Sequence, residues 1–301
     1  MRGDLLKLPS FAKINWILRI LGRRPDGYHE VATVLQSVSL CDELVFELRD
    51  DDRIVLACAD PAIPVDETNL IVRAVLALKS KRGVDITLQK RIPAKGGLGG
   101  GSSNAAVTLL ALNRLWRLGL GEADLRQIGA RLGADIPFFF AGGTAVAKGI
   151  GTEIEAVNDP TLQHLIIITP NASVATATAY ASLNAPSLTT SDSVSILASS
   201  FTEPFSEDSS QWPLHNDFEG VIFEREPEIR RAKEALVAAG ARNGLLAGSG
   251  SSVFGIFSDQ AARDHALDNL SSEIGWRVFA CHTLSRSEYL QAMNRQSDTG
   301  A

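Results

Sequence analysis

Residues 93–106 read Pro-Ala-Lys-Gly-Gly-Leu-Gly-Gly-Gly-Ser-Ser-Asn-Ala-Ala, with five glycines among the six positions 96–101. Glycine reaches positive φ and lets the backbone approach a ligand closely, so a run this dense is far more than a turn needs. Its flanks fix its setting. Val84 to Ile92 has the composition of a strand, and after the loop Ala106, Leu109, Leu110 and Trp116 recur at helical spacing until Gly119. The unit is therefore strand, glycine loop, helix, with Ser102 as the expected N-cap. A helix that starts there leaves its first N–H groups without intrahelical acceptors. Those donors, together with the positive end of the helix dipole, suit a phosphate. The hydroxyls of Ser102 and Ser103 add possible contacts to phosphate or Mg²⁺. The loop is not a Walker A motif, because no Gly-Lys-Ser/Thr follows it, and no well-placed acidic residue completes a dinucleotide fingerprint.

The rest of the chain reads as an ordinary globular protein. Its 301 residues suffice for one large domain or two smaller ones, and 45% hydrophobic with 21% charged residues argues against disorder as its main character. Cys41, Cys58 and Cys281 are scattered without C-x-x-C or metal spacing, which points away from a disulfide framework and towards a reducing compartment. Met1 to Ser10 contains no signal-peptide core, and no stretch approaches the ~20 apolar residues of a membrane span. A cytoplasmic protein with neither membrane nor nucleic-acid partners is expected. The net charge of −6 means that any attraction for phosphates must be local.

In residues 11–20, Ala12, Ile14, Trp16, Leu18 and Ile20 fall on one face of a strand. Phe11, Lys13, Asn15, Ile17 and Arg19 fall on the other, so Lys13 and Asn15 point the same way. Arg24-Pro25-Asp26-Gly27 is a turn by composition. Helices are expected over about Asn69–Lys79, Glu122–Leu132, from Pro227 to Gly240, and near 260–270. Further strands are expected at about Thr144–Lys148, from Leu165, over Val253–Phe257 and near 276–280. Residues 185–210, rich in Ser, Thr and Pro, are expected to form an exposed, mobile loop. A second small-residue loop, Ala247-Gly248-Ser249-Gly250-Ser251-Ser252, precedes the Val253 strand. The domain boundary is set near residue 158, giving domains 1–158 and 159–301.

Asp135 lies in Gly133-Ala134-Asp135-Ile136-Pro137-Phe138, just past a helix end and ahead of an apolar run. A carboxylate partly desolvated there would make a general base; taken alone it also reads as a turn cap. Lys13 would stabilise an anionic transition state, or would be a plain surface lysine. Tyr28 and His29 follow the turn and suit a heterocycle, though such pairs are common on surfaces; the single aromatic Tyr180 suits one too, or simply packs. No acidic metal-ligand set stands out.

Together, the lysine strand, the Pro-x-x-x-Gly-Leu-Gly loop running into Ser-Ser-Asn-Ala-Ala and the late Gly-Ser-Gly-Ser-Ser loop resemble the GHMP kinase superfamily. Four segments carry a narrower match, Pro9–Asn15, Arg24–His29, Gly97–Ala106 and Gly133–Phe138, and the triple glycine before Ser-Ser and the Asp-Gly-Tyr-His motif are its specific parts. They look like the members that act on a cytidyl diphosphate ester. The resemblance implies an α+β fold of two domains, the first like domain 2 of ribosomal protein S5 and the second ferredoxin-like, with both ligands in the cleft between them. It implies ATP-dependent phosphorylation of the 2-hydroxyl of 4-diphosphocytidyl-2-C-methylerythritol, a step towards isoprenoid precursors that does not pass through mevalonate. Asp135 then matches the base and Lys13 the lysine that orients the hydroxyl. Tyr28 and Tyr180 would sandwich the cytosine, His29 would read its edge, and Asn15 would contact the remainder of the substrate.

On the nucleotide side the resemblance assigns Pro93, Ala94, Lys95, Gly96, Gly97, Leu98, Gly99, Gly100, Gly101, Ser102, Ser103 and Asn104 to ATP. Gly248, Ser249, Gly250 and Ser251 would shape the substrate side. Mg²⁺ is inferred from the chemistry alone, and a monomer or weak homodimer is expected. The chain departs from the pattern at Ala94-Lys95, where Met-Gly or Thr-Gly is more usual. The remaining alternatives are another kinase of the superfamily, acting on homoserine, mevalonate or a sugar, and a non-catalytic nucleotide sensor. The Tyr28-His29 pair argues against the first, since those substrates carry no base to stack. The presence of both Lys13 and Asp135 argues against the second.

Overall fold

The computed structural model describes residues 5–172, 174–183 and 212–294. The serine-rich stretch 185–210 lies outside the described residues. The chain opens with a long antiparallel hairpin, β1 (Leu5–Arg23) and β2 (His29–Leu48), turned at Arg24–Tyr28 with Gly27 at a φ of 87°. The alternation expected over 11–20 is interrupted by register shifts between Phe11 and Ala12 and between Asn15 and Ile17. The extra residues re-aim the side chains. As a result both faces are covered there: Trp16 and Ile17 are buried, and so are Lys13 and Asn15.

The first sheet grows from this hairpin. β4 (Val84–Gln89) pairs with one end of β2, and β3 (Ile54–Cys58) lies parallel to β4 at the edge. β5 (Thr144–Lys148) pairs with the other end of β2 and carries β6 (Glu153–Ala156). The helices α1 (Leu70–Ala77), α2 (Gly100–Leu115), α3 (Glu122–Leu132) and the short α4 (Phe138–Ala141) follow in the same half. Asn69 caps α1, its side chain accepting from the Ile71 N–H at 2.9 Å. α3 ends at Gly133, as its sequence indicates.

The second sheet comprises β7 (His164–Pro170), β9 (Asn243–Leu246), β10 (Val253–Phe257) and β11 (Trp276–His282), antiparallel in the order β11-β7-β10-β9. With α7 (Pro227–Ala238) before β9 and α8 (Gln260–Leu270) after β10, this is the β-α-β-β-α-β arrangement of a ferredoxin-like unit. Two elements lie between β7 and α7 around residues 212–225: β8 (His215–Asn216), which runs parallel to β1 and so joins the first sheet, and α6 (Phe218–Arg225). They follow α5 (Thr176–Ser182).

The two sheets share apolar surface. Trp16 of β1 meets Trp212 and Phe254 edge-on at 5.1 and 5.6 Å, and Ala12, Ile14, Leu165 and Ile167 belong to the same buried cluster. The last helix, α9 (Arg286–Asn294), returns to the first half. Its Tyr289 is buried against Phe11 at 5.4 Å and donates its hydroxyl to the Phe139 carbonyl at 2.6 Å. Burial pushes the Tyr289 phenol pKa up. Gly142, at a φ of 61°, lets this ring in, because a Cβ there would lie 2.1 Å from Tyr289 Cδ1. Gly142→Ala is therefore expected to expel Tyr289 and to lower stability by about 2–4 kcal/mol in urea unfolding, from overpacking added to left-handed strain.

Candidate active site

A cleft of about 1480 Å³ lies among the β1–β2 hairpin, the glycine loop, Asp135, α5 and the 248–249 turn. That exceeds the ~300–1,000 Å³ typical of a pocket for one small ligand and leaves room for two. Its lining includes four cationic side chains, Lys13, Arg23, Lys90 and Lys95, against one carboxylate, Asp135. The chain as a whole is acidic at −6, so the excess of positive charge in this lining is a local feature, as the sequence demands of a phosphate binder.

The glycine loop packs directly on β1, where the Lys13 N–H donates to the Leu98 carbonyl at 2.9 Å. The helix behind it starts earlier than expected. Gly99, not Ser102, is the N-cap of α2, with φ 69° and ψ 13° and no side-chain cap bond. A Cβ at Gly99 would lie 2.8 Å from Phe139 Cζ and 2.9 Å from Lys13 Cγ, so only glycine fits. The first i to i−4 bond of the helix runs from Ser103 N to Gly99 O, at 2.8 Å. The N–H groups of Gly100, Gly101 and Ser102 thus precede the ladder and line the cleft without intrahelical acceptors.

Pro93 to Ser102 and Asn104 all line the cleft, but Ser103 does not. It is fully buried, with its Oγ 2.8 Å from Ser10 Oγ, and Ser10 also meets Asn104 Oδ1 at 2.9 Å. Helical geometry explains this: one position past Ser102, the side chain turns inward onto β1. Lys95 is exposed at a φ of 58°, the left-handed conformation that explains why glycine is more usual at this position.

Lys13 is the centre of a polar cluster. It is 3% exposed, donates to Asn15 Oδ1 at 2.9 Å and lies 3.7 Å from Asp135 Oδ2. Asn15 Oδ1 also accepts from the Gly248 N–H at 3.1 Å, while its amide donates to Thr33 Oγ1 at 2.8 Å. One side chain therefore ties Lys13 to the second glycine loop. The Asp135 side chain is 42% exposed, so the desolvation expected from the apolar run beside it is not what the fold provides. The run Phe138–Ala141 turns away into α4, and the carboxylate stays at the cleft surface beside Lys13.

At the far end, His29 lies in the cleft with its ring 4.8 Å from that of Tyr180 and tilted by 31°. Tyr180 also meets Phe218 edge-on at 4.9 Å. Burial, and then the charge of Asp135, push the Tyr180 phenol up to about 12. Burial, and then the charge of Arg23, lower the His29 imidazole below its ordinary value. Tyr28 lines the rim, 62% exposed. The ring in contact with Tyr180 is His29, while Tyr28 stands in the turn ahead of β2 on the rim of the same cleft.

Gly248 and Ser249 line the cleft, whereas Gly250 and Ser251 do not. The chain turns inward at Gly250, whose N–H bonds to the Ala247 carbonyl at 3.0 Å, and Ser251 is buried. The two glycine loops interlock. The Ser252 N–H donates to Gly96 O at 3.1 Å, and a Cβ on Gly97 would lie 1.9 Å from the Ala247 carbonyl oxygen.

Four supporting residues escaped the sequence reading. Asn216 donates to the carbonyls of Leu246 and Gly248, both at 2.8 Å, and holds the second loop; the Asn-Asp pair ahead of α6 was a helix-start signal that marked its place. Buried Asp42 accepts from the N–H groups of Arg91 and Ile92 and from Lys90 Nζ, each at 2.8 Å. It thereby sets the strand end ahead of the glycine loop and holds Lys90 beside α2. Lys90 is the third, and Arg23, which lines the cleft at the end of β1, is the fourth. Among the described residues no group of three or more His, Cys, Asp or Glu side chains gathers to hold a metal ion, and no helix is long and apolar enough to cross a membrane.

A glycine loop opening a helix, interlocked with a second loop beside a buried lysine and a carboxylate, defines a GHMP kinase. Residues 69–143 match the GHMP kinases N terminal domain and residues 202–274 the GHMP kinases C terminal family. The chain is 40% identical over 283 residues to the 4-diphosphocytidyl-2-C-methyl-D-erythritol kinase of Citrifermentans bemidjiense, covering 93% of this chain and 99% of the relative. It is 42% identical over 273 residues to that of Syntrophotalea carbinolica, covering 89% and 95%. A crystal structure of a 4-(cytidine 5′-diphospho)-2C-methyl-D-erythritol kinase superposes with a TM-score of 0.73 at 32% identity, covering 92% of this chain and 98% of that one. The chain belongs to the 4-diphosphocytidyl-2-C-methyl-D-erythritol kinase family of GHMP kinases.

The interlock of the two loops makes Gly97 the least replaceable position of the site. Gly97→Ala is expected to push the loops apart and lower kcat/KM by about 10²-fold or more, the scale at which ångström misplacements act. Far-ultraviolet circular dichroism should stay native, which separates displacement of the loop from unfolding.

Proposed function

We propose that this chain transfers the γ-phosphoryl of ATP to the 2-hydroxyl of 4-diphosphocytidyl-2-C-methyl-D-erythritol. The observation that carries the proposal is the Lys13–Asp135 pair, 3.7 Å apart, in the same cleft as the free amides of α2 and the His29–Tyr180 stack. The first feature suits proton removal from an alcohol, the second a phosphate chain, and the third a heterocycle.

In this reading the amides of Gly100, Gly101 and Ser102 hold the phosphates of ATP, and the helix dipole favours their charge. Ile63, Pro64 and Leu70 provide an apolar wall on the same side for the adenine. Cytosine is read at His29 and Tyr180, with Tyr28 covering it from the rim. Gly248 and Ser249 face the acceptor, and Asn15 borders it. Asp135 accepts the proton of the 2-hydroxyl. The hydroxyl oxygen bonds to the γ-phosphorus as the bond from phosphorus to the ADP oxygen breaks. Lys13, held by Asn15, offsets the charge on the equatorial oxygens and keeps Asp135 oriented.

A magnesium ion would be held mainly by the nucleotide, since among the described residues Asp135 is the one acidic side chain in the lining and Ser102 offers a hydroxyl at the start of α2. Such a sparse donor set suits Mg²⁺, which keeps waters and substrate phosphates as ligands and would supply charge neutralisation. A cytoplasmic enzyme acting as a monomer or weak homodimer fits a cleft built wholly from one chain.

Asp135→Asn is expected to lower kcat by about 10²- to 10⁴-fold while ADP affinity, measured by calorimetry, stays within about twofold. Unchanged turnover would remove Asp135 from its role. In a panel read by ADP release, the cytidyl substrate should be phosphorylated and homoserine and mevalonate should not. Preference for either of the latter would reject the assignment.

A further inference from the structure

Two adjacent arginines end β1 and begin the turn, and they are treated differently by the fold. Arg24 meets Asp26 at 3.1 Å and Glu30 at 2.8 Å. The side chain of Arg23 makes no hydrogen bond or ion pair with any described residue, although it is exposed and lines the cleft. Its position is set by the hairpin register, in which Arg23 lies directly opposite His29. Opposed residues of an antiparallel pair project from the same face with Cβ atoms about 4.5–5.5 Å apart. Arg23 therefore shares a face with the imidazole that stacks on Tyr180.

The other cations of the cleft are committed elsewhere. Lys13 is held by Asn15 and Asp135, Lys90 by Asp42, and Lys95 stands on the glycine loop at the nucleotide end. Among the described residues, Arg23 is thus the one uncommitted cation lining the His29 side. A ligand carrying a diphosphate needs a counter-charge there, because the chain as a whole repels anions at a net −6.

We propose that Arg23 is a specificity-determining residue that binds a phosphate oxygen of the acceptor, so that this end of the cleft selects a nucleoside diphosphate ester over an uncharged nucleoside. The inference rests on the cytidyl reading above. A guanidinium suits the task, since its planar fork donates two parallel hydrogen bonds to one phosphate. The same charge has a second effect. Burial and then Arg23 hold the His29 imidazole below its ordinary pKa, which keeps the ring neutral for reading the base. Among the described residues, Arg23 lies opposite His29 from β1, and Tyr180, itself under the charge of Asp135, contacts it from α5. Of these, Arg23 alone carries positive charge.

The test compares the full-length chain with Arg23→Ala and Arg23→Lys, using cytidine 5′-diphosphate, cytidine and ADP as calorimetric probes. For Arg23→Ala, cytidine 5′-diphosphate should bind roughly tenfold more weakly, cytidine and ADP within about twofold of wild type. KM for the cytidyl substrate should rise by a similar factor with kcat little changed. Arg23→Lys should recover part of the loss as a point charge. The His29 imidazole, followed by NMR titration, should rise in pKa in Arg23→Ala, a shift that a merely structural role at the hairpin end would not produce. Unchanged binding of cytidine 5′-diphosphate overturns the proposal. An equal loss for cytidine overturns it too, because it would point to the base or to local distortion. If the wild-type chain fails to phosphorylate the cytidyl substrate while cytidine 5′-diphosphate still depends on Arg23, the phosphate site stands and the acceptor assignment falls.

Discussion

A charged amine with 3% exposure is the constraint around which the cleft is built. Burying an unpaired ammonium is prohibitively unfavourable, so Lys13 needs partners in fixed places. Asn15, two residues along the same strand, provides one, and Asp135, at the cleft surface, provides the counter-charge. Both glycine loops are shaped by the same amine. Gly99 must lack a side chain because the stem of Lys13 runs beneath it, and a Cβ on Gly248 would lie 3.2 Å from Nζ. The loop that opens α2 and the loop that precedes β10 are thus fitted to one side chain, which couples the nucleotide side of the cleft to the acceptor side.

Much of this was legible because the informative signals are local. The density of glycine at 96–101 announced backbone donors at a helix start, and the strand before it and the helix after it followed from periodicity. α3 ended at Gly133 and β10 spanned Val253–Phe257, as their patterns indicated. Lys13 and Asn15 share a direction because two residues along a strand return to the same face.

The unread parts depend on distance along the chain or on small changes of backbone phase. The bulges in β1 follow from pairing with β2 and from coverage by β8, and no window of the strand contains either neighbour. Burial of Lys13 was hidden for the same reason: an apparently polar face is closed by loops far away in sequence. Asp42 sits 48 residues before Lys90, and Asn216 sits 30 residues before the carbonyl it holds at Leu246. Ser102 and Ser103 look alike in sequence, yet a single step along α2, about 100° of rotation, sends the first to the cleft and the second to Ser10. The motif located the chemistry, while the supports that hold it are products of tertiary packing.

The return of α9 to the first half bears on how the chain matures as it is made. Synthesis runs from the N-terminus, and domains generally fold as they emerge. Here the first half lacks Tyr289 and Met293, buried members of its own apolar cluster, until α9 has emerged from the ribosome. Until then the Phe11 and Gly142 surfaces stand open to solvent, inviting chaperones or wrong partners. The helix thus acts as a clasp, so that a segment made after the second sheet seals the older half of the molecule.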